Sequence, residues 1–246
     1  ESMIVLGGGP IGAEMSQAFS RLGTHVSVVD MAPQILPRED EDMAAVVMEK
    51  MTAEGVRFYL EHTVESVGSE SGRREVILKN PSGETIRLGA EMLLVALGRK
   101  PNTQGIGLED IGVSTGPKGI EVDQRLRTSR KHIYAAGDVN GGYQFTHAAG
   151  YEGGIVISNA IFRVPKKTDY RVVPWVTYTD PELARVGLTE QQARDKGIKH
   201  VVLRFPFQDI DRAITDNETS GLSKLVVNKG KILGASILGP HAGELI

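Results

Sequence analysis

The stretch MIVLGGGPIGAEMSQAFSRLGTHVSVVD, residues 3–30, decides the fold of this chain. It opens with an apolar run at residues 3–6 and passes through a glycine turn. A segment with apolar residues at helical spacing follows from Ala13 to Leu22, and a second apolar run covers residues 26–29. This order of strand, turn, helix and strand is typical of a βαβ unit. We therefore predict an α/β domain with a parallel sheet.

The glycine turn has the spacing of a dinucleotide-binding motif. Gly7, Gly9 and Gly12 form the pattern GxGxxG, and Asp30 follows the last glycine by 18 positions (30 − 12). In a Rossmann-like domain the first glycine permits a tight turn, the second lets the backbone approach a pyrophosphate, and the third lets the helix pack closely on the strand. Free N–H groups at the helix start hold the phosphate charge. The pattern and its flanking elements favour a dinucleotide site over a purely structural turn.

The acid at the end of the second strand predicts which dinucleotide binds. The carboxylate of Asp30 can accept hydrogen bonds from a ribose diol, but it would repel a 2′-phosphate, which prefers a nearby arginine. Residues 31–37 contain no basic side chain, and the first one is Arg38. We therefore expect NAD, with NADP the less favoured alternative.

Composition excludes several classes of protein. The 246 residues carry 28 basic and 31 acidic side chains, a net charge of −3, so the chain lacks the basic footprint of a nucleic-acid-binding protein. No apolar run is long enough to span a bilayer. We expect neither nucleic acid nor membrane as a partner, and a cytoplasmic location by default. The chain has no cysteine, which excludes disulfides and thiolate chemistry within these residues.

The rest of the chain divides into three parts. Residues 1–98 complete the first domain with a helix capped by Glu39 or Asp40 and a strand at 56–59. An antiparallel meander follows at about 64–68, 74–79 and 84–88, with breaks at Ser71-Gly72 and 80–83. A buried strand at 91–96 ends the domain. Residues 99–168 offer one helix, from near Thr146 to about Arg163, and a few short strands. These elements are too few to close a core alone. Residues 169–246 alternate strands and helices and predict an α+β domain.

Five blocks in order resemble the FAD-dependent pyridine nucleotide-disulfide oxidoreductases, the group of dihydrolipoamide dehydrogenase, glutathione reductase and mercuric reductase. The blocks are residues 7–14, 94–103, 133–138, 177–190 and 234–246. The resemblance covers nearly the whole chain. It implies a Rossmann-like NAD(P)-binding domain at 1–98, the C-terminal part of a FAD-binding domain at 99–168, and a truncated dimerisation domain at 169–246.

The resemblance also implies which residues hold the two cofactors. Glu14 would lie near the nicotinamide, Val64 beside the adenine, and Gly98 would close over the dinucleotide. Asp138 would bind the ribityl region of FAD, although from the residues alone an Asx turn after Gly137 is the favoured interpretation. The implied NAD set is Gly7, Gly9, Pro10, Ile11, Gly12, Glu14, Asp30, Val64 and Gly98, and the implied FAD set is Asp138, Gln144, Phe145, Thr146 and His147. We assign no catalytic residue and no metal ligand.

The implied activity is that of a homodimeric oxidoreductase in redox homeostasis, in which hydride passes from NAD(P)H through FAD to a disulfide or metal-ion substrate. Members of the family begin with a FAD-binding segment and a redox-active cysteine pair, and this chain has no cysteine. We therefore expect an inactive fragment that carries the NAD site and half of the FAD site. Two alternatives remain open: a flavin-free NAD-binding module, and a dimerisation unit without catalysis.

Overall fold

The computed structural model describes residues 1–70 and 72–246, which form two compact units. The larger unit comprises residues 1–98 and 174–246, and the smaller unit comprises residues 99–173. The predicted domain limits at 98 and 168 stay predictions, and the predicted break at Ser71 lies outside the described residues. In the described part of the chain, no helix is long and apolar enough to cross a membrane.

The first part of the larger unit is a βαβ domain with an added meander. Its elements are β1 (Ser2–Leu6), α1 (Pro10–Arg21), β2 (His25–Val29), α2 (Glu41–Ala53), β3 (Arg57–Tyr59), β4 (Thr63–Glu70), β5 (Arg73–Lys79), β6 (Thr85–Ala90) and β7 (Met92–Val95). Strands β3, β2, β1 and β7 form a parallel sheet in that order, and β4, β5 and β6 form an antiparallel sheet. The predicted Rossmann-like architecture is therefore confirmed.

Strand β1 is apolar throughout because both of its faces are covered. Val5 packs in a cluster with Val47 of α2, while Ile4 on the opposite face packs in a second cluster with Leu78 of β5. A strand buried on both faces reads as a continuous apolar run, which is typical of parallel sheets. This packing fixes the end of β1, and with it the glycine turn.

The prediction that the strand at 91–96 is buried is wrong. Strand β7 is the last strand of its sheet, and 56% of Met92 and 62% of Val95 are exposed. Its apolar composition predicts a strand correctly, but an apolar run alone does not distinguish a central strand from an edge strand.

The smaller unit contains little regular structure. It has the two-stranded sheet of β8 (Thr115–Gly116) and β9 (Gly119–Ile120), a short 3₁₀ turn at Asp138–Asn140, and helix α3 (Thr146–Ala160). A small cluster of Val113, Ile120 and Ala135 forms its apolar centre. The helix begins at the predicted residue and ends three positions before the predicted Arg163.

The second part of the larger unit is a five-stranded antiparallel sheet in the order β10-β11-β14-β13-β12. Its elements are β10 (Trp175–Thr177), β11 (Glu182–Gly187), α4 (Glu190–Asp195), β12 (Val201–Pro206), α5 (Asp211–Thr215), β13 (Leu222–Asn228), β14 (Lys231–Gly239) and α6 (Ala242–Leu245). The predicted α+β arrangement is confirmed.

Candidate dinucleotide site

Two of the three motif glycines are required by the fold itself. Gly7 has a φ of +105°, and a Cβ there would lie 2.5 Å from the carbonyl oxygen of Ala96. A Cβ on Gly12 would lie 1.8 Å from the carbonyl oxygen of Gly7. Gly7 is required by its positive φ and by the backbone that follows β7, and Gly12 is required by the close approach of helix α1 to the turn.

Gly9 has no such structural requirement. Its backbone is extended, with φ −69° and ψ −177°, a conformation open to any residue. Apart from its chain neighbours, no atom of the described residues lies within 4 Å of a Cβ built on Gly9. Gly9 is the N-cap residue of α1 and makes no side-chain cap, so the start of the helix faces open space. A glycine at this point suits a ligand that approaches the backbone.

The carboxylate of Asp30 is fixed beside the turn by backbone N–H groups. Its Oδ2 accepts a hydrogen bond from the Gly8 nitrogen at 2.6 Å, and its Oδ1 accepts one from the Ala32 nitrogen at 2.8 Å. A carboxylate oxygen has two lone pairs, so each oxygen keeps one for another donor. Both oxygens of Asp30 can therefore accept one further hydrogen bond, as a ribose diol would require.

The other predicted NAD residues differ in how the structure places them. Pro10 and Ile11 are exposed at the start of α1, and Gly98 is exposed with a φ of +121°. The Glu14 carboxylate already accepts a hydrogen bond from the Tyr178 backbone nitrogen at 2.8 Å. Val64 is partly buried against the cluster that covers β1.

The predicted FAD residues lie together in the smaller unit. Asp138 opens the 3₁₀ turn with half of its side chain exposed, and its Oδ2 lies 3.1 Å from Arg99 Nη1. The same nitrogen donates to the carbonyl oxygen of Gln144 at 3.3 Å. Phe145 is the N-cap residue of α3 and Thr146 its first residue. The rings of Phe145 and His147 are stacked, with centroids 5.4 Å apart.

Glu152 is a buried acid that supports the turn before Asp138, and sequence reasoning missed it. Its carboxylate accepts hydrogen bonds from the Gly137 nitrogen at 2.7 Å, from Asn140 Nδ2 at 2.8 Å and from the Tyr170 hydroxyl at 2.6 Å. Burial and the hydrogen bond to this acid raise the pKa of Tyr170. The signal in the sequence was an acid spaced with Ala148 and Ile155 on the buried face of α3.

A buried charged network joins the two parts of the larger unit, and sequence reasoning missed it as well. Lys224 is 2% exposed and its Nζ lies 2.9 Å from Asp40, 2.8 Å from Asp42 and 2.9 Å from Glu190. Burial lowers the pKa of Lys224, but hydrogen bonds to these carboxylates outweigh it, so the pKa lies above its usual value. Burial likewise raises the pKa of Asp40, yet Lys224 and two backbone N–H groups bring it below the usual range.

The predicted cap of α2 needs a correction. Asp40 does occupy the N-cap position of α2, but its side chain makes no cap hydrogen bond there. Its carboxylate accepts instead from the Glu190 and Gln191 nitrogens at the start of α4, at 3.0 and 3.1 Å. The Glu39 carboxylate also has partners outside α2. Arg185 Nε lies 2.8 Å from its Oε2, and Trp175 Nε1 donates to its Oε1 at 2.8 Å.

The first part of the larger unit is a Rossmann-like α/β domain whose glycine turn has the GxGxxG spacing. The family model described as pyridine nucleotide-disulphide oxidoreductase matches residues 1–153, and the model of its dimerisation domain matches residues 173–246. The chain therefore belongs to the pyridine nucleotide-disulphide oxidoreductases, as the resemblance predicts.

Similar proteins include enzymes with two different names. A mercuric reductase from Staphylococcus aureus is 40% identical over 100% of this chain and 45% of its own length. A dihydrolipoyl dehydrogenase from Geobacillus stearothermophilus is 40% identical over 100% of the chain and 53% of its own length. The structure of the HOCl-induced flavoprotein disulfide reductase RclA from Escherichia coli matches with a TM-score of 0.88 and 34% identity, over 99% of this chain and 56% of that one. The chain thus spans about half the length of the curated relatives that it matches.

Proposed function

We propose that this chain binds NADH at the turn formed by residues 7–12 and contributes part of the FAD site of an oxidoreductase. In such an enzyme NADH supplies a hydride and FAD accepts it. The names of the relatives, mercuric reductase and dihydrolipoyl dehydrogenase, favour a metal ion or a disulfide as the final acceptor. The chain itself supplies binding groups rather than a catalytic residue.

The observation that carries the proposal is the open space beside Gly9. Gly7 and Gly12 are explained by close contacts within the fold, whereas a Cβ on Gly9 meets nothing within 4 Å among the described residues. A pyrophosphate at the start of α1 would need that space and would be stabilised by the helix N–H groups. Asp30, fixed by two N–H groups, supplies the acceptor for the ribose diol and favours NAD over NADP.

The proposed roles of the remaining site residues follow from their places. Pro10 and Ile11 would flank the pyrophosphate, Glu14 would lie toward the nicotinamide, and Val64 and Gly98 would border the dinucleotide. In the smaller unit, Asp138 and residues 144–147 would contact FAD near the start of α3. Support for this second set is the family relationship together with the exposed carboxylate of Asp138.

The alternative of a flavin-free NAD-binding module has one observation in its favour. Arg99 already lies beside the Asp138 carboxylate and the Gln144 carbonyl oxygen, so that loop is closed by its own contacts. The visible absorbance of the purified protein, before and after incubation with FAD, decides between the two. A bound flavin spectrum supports the FAD proposal, and its absence after incubation supports the alternative.

The proposed partner is a second copy of the chain. Residues 173–246 match the dimerisation domain of the family, and the last strand of that sheet, β12, exposes Val201, Leu203 and Phe205. Apolar side chains in a row are typical of an interaction surface. Sedimentation at micromolar concentration tests the dimer, because a monomer there would contradict it.

Titration with NADH tests the proposed site directly. Replacing Asp30 with Ala should weaken NADH binding by about 1–3 kcal/mol, since the ribose donors lose their acceptor. Gly9→Ala should weaken binding by a similar amount because its methyl group would occupy the pyrophosphate space. The free energy of unfolding of the Gly9 variant should change by less than about 0.5 kcal/mol. Unchanged NADH affinity in both variants would contradict the proposed site.

A further inference from the structure

The loop of residues 31–39 covers the glycine turn. The Leu36 nitrogen donates to the carbonyl oxygen of Gly8 at 2.8 Å, and Ile35 packs so closely that a Cβ on Gly8 would lie 3.2 Å from its Cγ2. Ile35 and Leu36 are each 1% exposed. The shape of this loop therefore decides where Gly8 and Asp30 stand, since Gly8 also donates to the Asp30 carboxylate.

The far end of this loop contacts Arg185 of β11, beside the hydrogen bond from Trp175 to Glu39. Arg185 Nε lies 2.8 Å from Glu39 Oε2, and Arg185 Nη2 donates to the carbonyl oxygen of Arg38 at 3.2 Å. The guanidinium also stacks on the Trp175 ring, with its Cζ 3.8 Å from the ring centroid. The side chains of Arg185 and Glu39 are 1% and 5% exposed. Ion pairs this deeply buried are held firmly, because either partner alone would be costly to bury.

From these contacts we propose that Arg185 is a positioning residue of the dinucleotide site. It holds the loop 31–39 in the shape that keeps Asp30 and Gly8 ready for the adenosine half of NADH, although it does not itself touch the ligand. The inference rests on the proposed NADH site. Without Arg185 the loop samples other conformations, and the apparent association constant is the intrinsic one multiplied by the fraction of molecules that keep the competent conformation.

Lys224 provides a matched control in the same part of the larger unit. It is buried to a similar degree and carries the same charge. Its carboxylate partners, however, are Asp40, Asp42 and Glu190, which belong to the starts of α2 and α4 and lie outside the loop 31–39. Loss of Lys224 should therefore destabilise the unit without changing the shape of the loop.

The experiment compares Arg185→Met with Lys224→Met by titration with NADH and with ADP-ribose, and by thermal unfolding. Both variants should lower the melting temperature. Arg185→Met should weaken both ligands about tenfold, whereas Lys224→Met should leave both affinities within about twofold. Trp175→Phe, which removes one donor to Glu39 and keeps a ring under the guanidinium, should weaken NADH about threefold. It serves as the second test where Arg185→Met does not fold.

Two outcomes would overturn the inference. In the first, folded Arg185→Met or Trp175→Phe protein binds NADH as tightly as the unaltered chain. In the second, Lys224→Met weakens NADH as much as Arg185→Met, which would mean that any loss of stability has the same effect. Asp30→Ala separates this failure from that of the proposed function: if Asp30→Ala loses affinity and Arg185→Met does not, the NADH site stands and the positioning role falls.

Discussion

The turn at residues 7–12 and the loop at residues 137–141 are both rich in glycine, but the fold explains them to different degrees. In the second region Gly137 has a φ of +81°, and a Cβ on Gly141 would lie 1.7 Å from the carbonyl oxygen of Lys118. Both glycines are needed to build the loop. In the first region Gly9 is left without such a reason. A glycine that the fold does not need is the better indicator of a ligand.

The acids of the two regions differ in a related way. Asp30 is held by two backbone N–H groups and has no cationic partner among the described side chains. Asp138 lies 3.1 Å from Arg99, and both side chains are about half exposed, at 50% and 51%. The first acid is therefore fixed by the backbone, whereas the second lies beside an arginine side chain.

The largest effect is expected from a substitution in the turn at residues 7–12. Replacing Gly12 with Ala would place a methyl group 1.8 Å from the Gly7 carbonyl oxygen, so helix α1 must move away from β1. We expect the free energy of unfolding to fall by about 3 kcal/mol or more. Urea denaturation followed by circular dichroism measures the loss. Gly9→Ala is the matched control, and a Gly12 variant as stable as that control would contradict the distinction between the two glycines.

A smaller effect is expected from the buried acid of the second region. Replacing Glu152 with Gln leaves one acceptor oxygen and brings an NH₂ group toward three donors. The free energy of unfolding should fall by about 1–3 kcal/mol. The change is measured as the protease resistance of residues 99–173 at increasing denaturant concentration. Glu109→Gln, at an exposed acid of the same unit, should be neutral, and equal effects of the two substitutions would argue against a supporting role for Glu152.

The smallest effect concerns the exposed pair of the second region. Arg99→Met removes the partner of Asp138 and should change the free energy of unfolding by less than about 1 kcal/mol, because exposed ion pairs contribute little. Thermal unfolding of the variant beside the unaltered chain measures this. A loss as large as that of Glu152→Gln would contradict this expectation and would mean that Arg99 supports the loop at residues 137–141.

Local patterns predicted the parts of the fold that depend on local physics. The βαβ unit follows from the apolar runs at 3–6 and 26–29 and the glycines between them. The start of α3 at Thr146 is likewise predicted from the residues around it alone. The exposure of Met92 and Val95 was not predictable in this way, because the position of β7 in the sheet depends on strands far away in sequence.

The charged network marks the clearest limit of reading the sequence. Asp40 lies where a helix cap is expected. No local pattern reveals that its carboxylate accepts a hydrogen bond from the start of α4, about 150 positions further on. Both basic residues leave a trace in the sequence, since Arg185 lies between Ala184 and Val186 in β11, and Lys224 is followed by Leu225, Val226 and Val227 in β13. A charge at such a position predicts a buried partner but does not identify it.

The shared carboxylate of Asp40 has a consequence for dissecting this protein into modules. Helix α4 has six residues, too few to persist alone, and part of its cap is contributed by the chain segment that opens α2. Excising residues 1–98 would separate Glu39 from Arg185 and Asp40 from Lys224. It would also remove the Asp40 carboxylate that accepts hydrogen bonds from the start of α4. Residues 1–98 and 174–246 therefore stabilise each other, and we expect neither piece to be as stable alone as it is within the larger unit.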